Sequence, residues 1–355
     1  MKFLIAGDLF MKSEIFQKEI ERSLDGVVES LSFKSMEADW PVQPWDRGRE
    51  VDEFSGSEDE IRALAVDADG IITHLGPITA RVIEAARELK IIACSRGNPV
   101  NVNTEVATER GIPVIHTPGR NALAVAEFTL GLILVGLKNI FQAHTYLKRG
   151  IWRGDFYCYD KAARELSDQT VGLIGFGHVG RLTASLLKGL GAKLLVYDPY
   201  VPAEQIESLG AEKVNLETLL KRSDIVSLHA KATPETEGMI GAAELALMKP
   251  TAYLINTARG SLVDQEALCE ALKHNRIAGA ALDAFAKEPI PLDDPLLQLE
   301  NVIITPHIAG SSRQVAWRAA RMIAEDIRNF FTGEPMKYCF NSEDLRARLH
   351  RQLGE

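Results

Sequence analysis

Short apolar runs alternate with longer stretches of helical period along almost the whole chain. The runs at 2–6, 70–73, 91–94, 113–116, 170–174, 193–197, 225–229, 253–256, 278–282 and 302–305 are rich in Val, Ile, Leu and Ala and are bounded by Gly, Pro or polar residues. That is the pattern of short strands buried on both faces. Between them, 78–89, 179–190, 216–222 and 265–274 read as helices; in the last, Ala267, Leu268, Ala271 and Leu272 make one apolar face. Strand–helix–strand repetition predicts an α/β fold, with mostly parallel sheets covered by helices on both faces.

Two Pro/Gly segments punctuate this pattern. Thr117-Pro118-Gly119-Arg120-Asn121 precedes a long apolar helix expected over 121–147, and Thr305-Pro306-His307-Ile308-Ala309-Gly310 precedes the last long helix, 311–331. Placing the crossings there gives a domain of 1–118 plus 309–355 and a second of 119–308. Segment 40–60 is polar and aperiodic and is expected to be a long loop; the charged 341–355 is expected to be a frayed helix. The longest apolar stretch, 128–137, falls well short of the ~20 residues that span a bilayer and reads as a buried helix. The first residues reach Asp8 too soon for a signal-peptide core.

A length of 355 residues suits two domains. The formal charge is −9 and no long run of Lys and Arg occurs, which speaks against a nucleic-acid partner. Cys94, Cys158, Cys269 and Cys339 lie far apart, with no metal-ligand spacing. This argues against a disulfide scaffold or a metal site and for a reducing, cytoplasmic setting without membrane contact.

The chemistry begins at Gly175-Phe176-Gly177-His178-Val179-Gly180, a G-x-G-x-x-G between the expected strand 170–174 and a helix. The next strand ends at Asp198, 18 residues after Gly180. Strand, glycine turn, helix, strand and acid form the dinucleotide-binding unit. Gly175, Gly177 and Gly180 let backbone approach a pyrophosphate, and the helix N-terminus favours its charge. Asp198 would accept from ribose hydroxyls and repel a 2′-phosphate; Pro199 and Tyr200 follow it, with no Arg, so NAD is expected rather than NADP.

Ligands in open α/β sheets lie beyond the carboxyl ends of the strands. There the later strands carry His229-Ala230-Lys231, Asn256-Thr257-Ala258-Arg259-Gly260, Asp283 with Glu288, and Thr305-Pro306-His307. Oxidising a secondary alcohol with NAD needs a base for the hydroxyl proton and a cation for an anionic substrate. His307 fits the acid/base, Glu288 the carboxylate that favours its protonated form, and Arg259 the planar clamp.

These motifs, with Asp283-Ala284-Phe285-Ala286-Lys287-Glu288-Pro289, resemble the D-isomer-specific 2-hydroxyacid dehydrogenases, and within them the phosphoglycerate dehydrogenase-like members. The resemblance runs from about 69 to 331, with residues 1–68 matching loosely. It implies an Arg–Glu–His catalytic set at Arg259, Glu288 and His307. It implies cofactor contacts at His178, Val179, Asp198, Ala230, Thr257, Ala258, Asp283 and the turn ending at Gly310, with Asp283 holding the nicotinamide carboxamide. The implied fold is a Rossmann-like NAD-binding domain inserted in a flavodoxin-like substrate domain, in a homodimer formed through the helix at 121–147. The chain ends too soon for the C-terminal regulatory domain that the phosphoglycerate enzymes often carry, so none is expected.

Two departures stand out. The substrate loop, glycine-rich in most relatives, reads Cys94-Ser95-Arg96-Gly97-Asn98-Pro99 here. Arg96 and Asn98, around Gly97, are expected to contact extra hydroxyl, carboxylate or phosphate groups of a 2-hydroxy or 2-oxo acid such as a sugar acid, the alternative for Arg96 being a structural ion pair. Lys231-Ala232 replaces the Pro-Leu common after the strand-end His. The competing function is an NAD(H)-sensing, corepressor-like binding protein on the same fold. A formate dehydrogenase-like enzyme is disfavoured, because those relatives place Gln where Glu288 stands.

Overall fold

The computed structural model describes residues 1–40 and 48–353, so 41–47 of the expected loop lies outside the described residues. The chain forms two compact units, Met1–Arg120 with Ser312–Glu355, and Asn121–Ser311. The sequence placed the two crossings at 118/119 and 308/309.

In the first unit, β1 (Lys2–Asp8), β2 (Ser32–Ala38), β3 (Gly70–Thr73), β4 (Ile91–Cys94) and β5 (Val114–Ile115) form one parallel sheet in the order β2-β1-β3-β4-β5. This is the flavodoxin-like order. Leu4, Ile71, Ile92 and Val114 from four strands pack with Ile61, Val82 and Ile83 from the covering helices. Strand β2 and the helices Ser13–Leu24, Glu58–Ala65 and Thr104–Glu109 were not anticipated. The helix Glu58–Ala65 takes the last residues of the expected 40–60 loop, capped by Ser57 Oγ accepting from the Glu60 N–H. Helix Ser13–Leu24 packs against the helix Arg313–Thr332, and Ser23 Oγ donates to the Ala324 carbonyl at 2.9 Å; a last helix, Ser342–Leu353, follows where the charged tail is expected to be helical.

The second unit carries β6 (Thr170–Ile174), β7 (Lys193–Tyr197), β8 (Glu212–Lys213), β9 (Ile225–Leu228), β10 (Tyr253–Asn256), β11 (Gly279–Leu282) and β12 (Val302–Ile304). Its parallel sheet runs β12-β11-β10-β9-β6-β7-β8, the Rossmann order with one further strand. Neighbouring residues of one strand enter different cores. Val171 and Leu173 pack with Leu132, Ile133 and Leu187, while Ile174 packs with Leu219, Leu228, Leu254 and Leu268. Burial on both faces is why these strands read as continuous apolar runs.

The helix expected over 121–147 is two helices, Ala122–Leu137 and Ile140–Lys148, bent by 65°. Asn139 at the break has φ +56°, a left-handed conformation that Asn tolerates better than most side chains. Apolar residues continue through the break, so composition alone hides it. Among the described residues no single helix is long and apolar enough to cross a membrane.

Candidate active site

Strand β6 ends at Ile174, and Gly175 turns the chain with φ +95°. A Cβ on Gly175 would lie 2.6 Å from the Ala230 nitrogen, and one on Gly180 would strike the Gly175 carbonyl. Both glycines therefore keep β6, β9 and the following helix His178–Gly189 in close approach. Gly177 is the helix N-cap, without a side-chain cap bond, and a Cβ there would meet nothing within 4 Å. Gly177 and His178 are exposed and Val179 is half-buried, leaving free N–H donors of the first turn facing open space. Asp198 at the end of β7 is nearly buried; its Oδ2 accepts from the Phe176 N–H at 2.8 Å and its Oδ1 from Tyr200 and Val201 at 2.9 and 3.0 Å. The acid thus ties the glycine turn to the next strand. It retains acceptor capacity.

Three adjacent strands, β10, β11 and β12, deliver the titratable set. After β10, Asn256 shapes the turn: its Nδ2 donates to the Arg259 carbonyl at 2.9 Å and its Oδ1 accepts from the Ala258 N–H at 3.0 Å. Arg259 is exposed, with Nη1 donating to the Ala258 carbonyl at 2.8 Å. After β11, Glu288 folds back so that Oε1 accepts from the Phe285 N–H at 2.9 Å. After β12, His307 sits at φ +53° with Nδ1 at 2.7 Å from Glu288 Oε2. Burial opposes ionisation of Glu288, but the hydrogen bonds from His307 and Phe285 and the positive charges of His307 and Arg259 outweigh it. Its carboxyl stays below the ordinary range. With an ionised acceptor on Nδ1, that nitrogen carries the ring proton and Nε2 is left for exchange.

Asp283 is buried and serves this turn. Its Oδ1 accepts from the Thr305 hydroxyl at 2.6 Å and the Ile308 N–H at 2.9 Å, and Oδ2 from the Ala309 N–H at 2.8 Å. Thr257 is turned inward, its hydroxyl at 2.7 Å from that of Thr129, which donates to the Val125 carbonyl at 2.8 Å. Ala230 and Ala258 are half-buried at strand ends, and Gly310 stands beside Asn121. In the first unit, Gly97 and Asn98 are exposed, and the Gly97 carbonyl is 2.8 Å from His116 Nδ1. Arg96 is 12% exposed at its side chain and pairs with the Glu53 carboxylate, its Nη1 also donating to the Glu53 carbonyl at 2.7 Å. Of the two roles open to Arg96, the structure displays the ion pair. Among the described residues no cluster of three or more His, Cys, Asp or Glu is placed to hold a metal.

Residues 130–309 match the family described as "D-isomer specific 2-hydroxyacid dehydrogenase, NAD binding domain". A glyoxylate reductase of Korarchaeum cryptofilum is 40% identical over 84% of this chain and 90% of its own length. The chain belongs to the D-isomer-specific 2-hydroxyacid dehydrogenases. A D-3-phosphoglycerate dehydrogenase of Methanocaldococcus jannaschii is 41% identical over 83% of this chain, which spans only 56% of that relative's length. A D-isomer specific 2-hydroxyacid dehydrogenase of Lactobacillus delbrueckii ssp. bulgaricus, solved in its NAD complexed form, has the same fold, with a TM-score of 0.77, 26% identity and coverage of 96% of this chain and 100% of that one. The protein is therefore an NAD-dependent oxidoreductase of this family, phosphoglycerate dehydrogenase-like in its sequence.

Two histidines stand at strand ends of the dehydrogenase, His74 buried in the first unit and His229 half-buried in the second. His229 lies behind the glycine turn, its N–H donating to the Ile174 carbonyl at 2.7 Å and its Nε2 at 3.0 Å from Ser227 Oγ. His74, at the end of β3, is the other. Burial pushes both down to about 4, with Arg120 and Arg96 adding to the effect at His74 and Asp8 opposing it. An unfolded histidine titrates near 6.5, so the unfolded chain takes up protons first as the pH falls. The dehydrogenase is therefore expected to hold its stability above about pH 7 and to lose it progressively from about 6.5 toward 4, by something of the order of 3 kcal/mol for each histidine at the acid end. Thermal melts across that range check this, and a melting temperature level down to pH 5 would contradict two neutral rings.

Proposed function

We propose that this dehydrogenase interconverts a D-2-hydroxy acid and its 2-oxo acid, with a phosphoglycerate or sugar-acid type of substrate, using His307 as acid/base, Glu288 as its partner and Arg259 as the carboxylate clamp. The observation that carries this is the pinned pair, His307 Nδ1 on Glu288 Oε2 at 2.7 Å, beside a cation that forms no ion pair among the described residues. In oxidation His307 Nε2 takes the hydroxyl proton; in reduction the imidazolium returns one to the carbonyl oxygen. Glu288, held at both oxygens, fixes the ring and its tautomer. Arg259 offers two parallel N–H bonds to the substrate carboxylate and draws charge toward the oxygen being protonated.

The glycine cradle that a Cβ would fill, the free N–H groups at His178 and Val179, and the remaining lone pairs of Asp198 fit a dinucleotide. NAD, when bound, supplies the hydride acceptor or donor. Gly175, Gly177 and Gly180 would lie against its pyrophosphate, Asp198 would take its ribose hydroxyls, and Ala230, Thr257, Ala258, Asp283 and Gly310 would border it. Asp283 has most of its acceptor capacity committed to the 308–309 turn, so its part is to place that turn as much as to touch the cofactor. Asp198→Ala is expected to narrow the preference for NAD over NADP by at least about tenfold, through loss of charge repulsion and of the ribose acceptor; an unchanged preference in initial rates would mean the ribose is read elsewhere.

In the substrate loop, exposed Gly97 and Asn98 offer groups to the substrate, and Arg96, anchored to Glu53, sets the loop's position. Trp152, Tyr157 and Tyr159 are 82%, 98% and 94% exposed just after the bent helix pair, a concentration of aromatic surface that supports a homodimer covering it. The free cysteines support a reducing, cytoplasmic setting. NADH oxidation against glyoxylate, pyruvate, hydroxypyruvate, 3-phosphohydroxypyruvate and longer sugar-derived 2-oxo acids tests the reading. Turnover concentrated on polar-tailed members is expected. Tight NADH binding with no turnover across the panel would favour the sensing, corepressor-like alternative.

A further inference from the structure

The loop that carries Glu288 is held from outside by one amide. Gln265 opens the helix Gln265–Lys273, which Asp264 caps by accepting from the Ala267 N–H at 3.0 Å and which Leu268 and Leu272 seat in the core. Half-buried Gln265 bridges two partners of opposite character. Its Nε2 donates to Asp294 Oδ2 at 2.7 Å, and its Oε1 accepts from the Ala286 N–H at 3.0 Å. Asp294 is itself committed, its Oδ1 accepting from the Leu296 N–H at 2.9 Å at the start of the short helix Pro295–Gln298.

The chemistry of these groups fixes which way the amide faces. A carboxylate accepts, and a primary amide has one donor end and one acceptor end, so Asp294 draws the NH₂ and leaves the oxygen for Ala286. Ala286 is exposed, and this bond ties its N–H to the body of the domain. Next to it, the Phe285 N–H holds Glu288 Oε1 at 2.9 Å, and Glu288 Oε2 holds His307 Nδ1 at 2.7 Å. The Phe285 carbonyl and the Ala286 nitrogen also lie so close to Gly260 that a Cβ there would collide with both. A chain of fixed contacts thus runs from Asp294 through Gln265, Ala286 and Phe285 to Glu288 and the imidazole. All of it belongs to the second unit.

We infer that Gln265, oriented by Asp294, is a positioning residue for the His307–Glu288 pair: it holds the backbone at 285–286 where Glu288 can fix the ring and its tautomer. This rests on the reading of His307 as the acid/base. Gln265 bonds neither His307 nor Glu288, so it acts through the place of the nitrogen that moves the proton. A misplacement of one ångström, made away from the chemistry, can cost about 10²-fold in rate. A bridge that served folding alone would change stability and leave the turnover of the folded enzyme as it is.

The test reverses the polarity of the bridge in the full chain. Gln265→Glu keeps an acceptor for Ala286 but sets two carboxylates face to face. Adding Asp294→Asn restores the bond with donor and acceptor exchanged, and leaves Leu296 its acceptor. With NADH and the preferred 2-oxo acid, Gln265→Glu is expected to lower kcat at least about tenfold while KM and the Kd for NADH stay within about threefold. The double variant is expected to return kcat to within about threefold of wild type, the mark of two coupled residues. A wild-type kcat in Gln265→Glu, a loss that the double variant does not recover, or a loss carried by KM alone overturns the proposal. Should Gln265→Glu not fold, Gln265→Leu, which removes both bonds without adding charge, takes its place with the same expected loss. Nitrogen-15 NMR of histidine-labelled protein at alkaline pH separates this from the reading beneath it, the His307 signal among the 8 histidines being the one that His307→Ala removes. The ring proton is expected on Nδ1 in the wild type, partly on Nε2 in Gln265→Glu, and back on Nδ1 in the double variant. If His307→Ala leaves turnover intact, the acid/base reading fails separately and the tautomer decides: that sequence of changes supports the positioning role, and a His307 signal alike in all three proteins overturns it.

Discussion

His307→Ala is expected to lower turnover of the preferred 2-oxo acid by about 10²–10⁴-fold, the range a positioned acid/base group supplies, while NADH binding is kept. The ring stands at the end of β12 and reaches Glu288 across 19 residues of sequence at 2.7 Å. Among the described residues its removal leaves no other titratable side chain bonded to that carboxylate, and the proton needed at the carbonyl oxygen must then come from water. The cofactor is proposed to bind at the glycine turn and Asp198, at other strand ends of the same sheet, so a fluorescence titration with NADH should change little. An activity loss below tenfold would remove His307 from the acid/base role.

Gly260→Ala is expected to cost about 3 kcal/mol or more of stability and most of the activity. A Cβ at 260 would fall on the Phe285 carbonyl group and the Ala286 nitrogen, which are backbone atoms and cannot step aside as a flexible side chain would. Overpacking of side chains alone commonly costs 1–3 kcal/mol, and here two loops must part. Those loops carry Arg259 on one side and, through the Phe285 N–H, Glu288 on the other. One methyl group is thus expected to disturb Arg259 and the His307–Glu288 pair, the proposed clamp and acid/base, together. Denaturant unfolding and initial rates measure the two effects, and a variant of wild-type stability would show that this contact is looser than described.

How far the sequence discloses all this follows from burial. Every strand read from the apolar runs is buried over most of its length, β5 and β12 at the sheet edges included, because burial demands an apolar run. The two that were missed, β2 and β8, are outer strands of their sheets. Ser32–Ala38 is exposed or half-buried throughout, so it carries no run to read. The break at Asn139 is invisible for a related reason, since a single left-handed residue does not alter apolar periodicity.

Arg259, Glu288 and His307 stand out in the sequence as the proposed set because polar residues at carboxyl ends of parallel strands are informative by position. The holding of the 308–309 turn by Asp283 is not legible, because it depends on which lone pairs the backbone claims. Asp8 and His74 obey the same strand-end rule in the other sheet. They go unnoticed when the rule is applied only where a dinucleotide fingerprint draws the eye. Arg96, conspicuous as a departure from glycine, proves to be held by Glu53, a partner 43 residues away that no spacing announces.

The most direct measurement is the fate of the hydride. The preferred 2-oxo acid is reduced with NADH carrying deuterium at C4 of the nicotinamide, and the product is resolved by chiral chromatography and mass spectrometry. The expected product is the D-2-hydroxy acid with the label on C2, as direct transfer from the cofactor across a site of this family requires. An L-product, or a D-product whose C2 hydrogen comes from solvent, would contradict it.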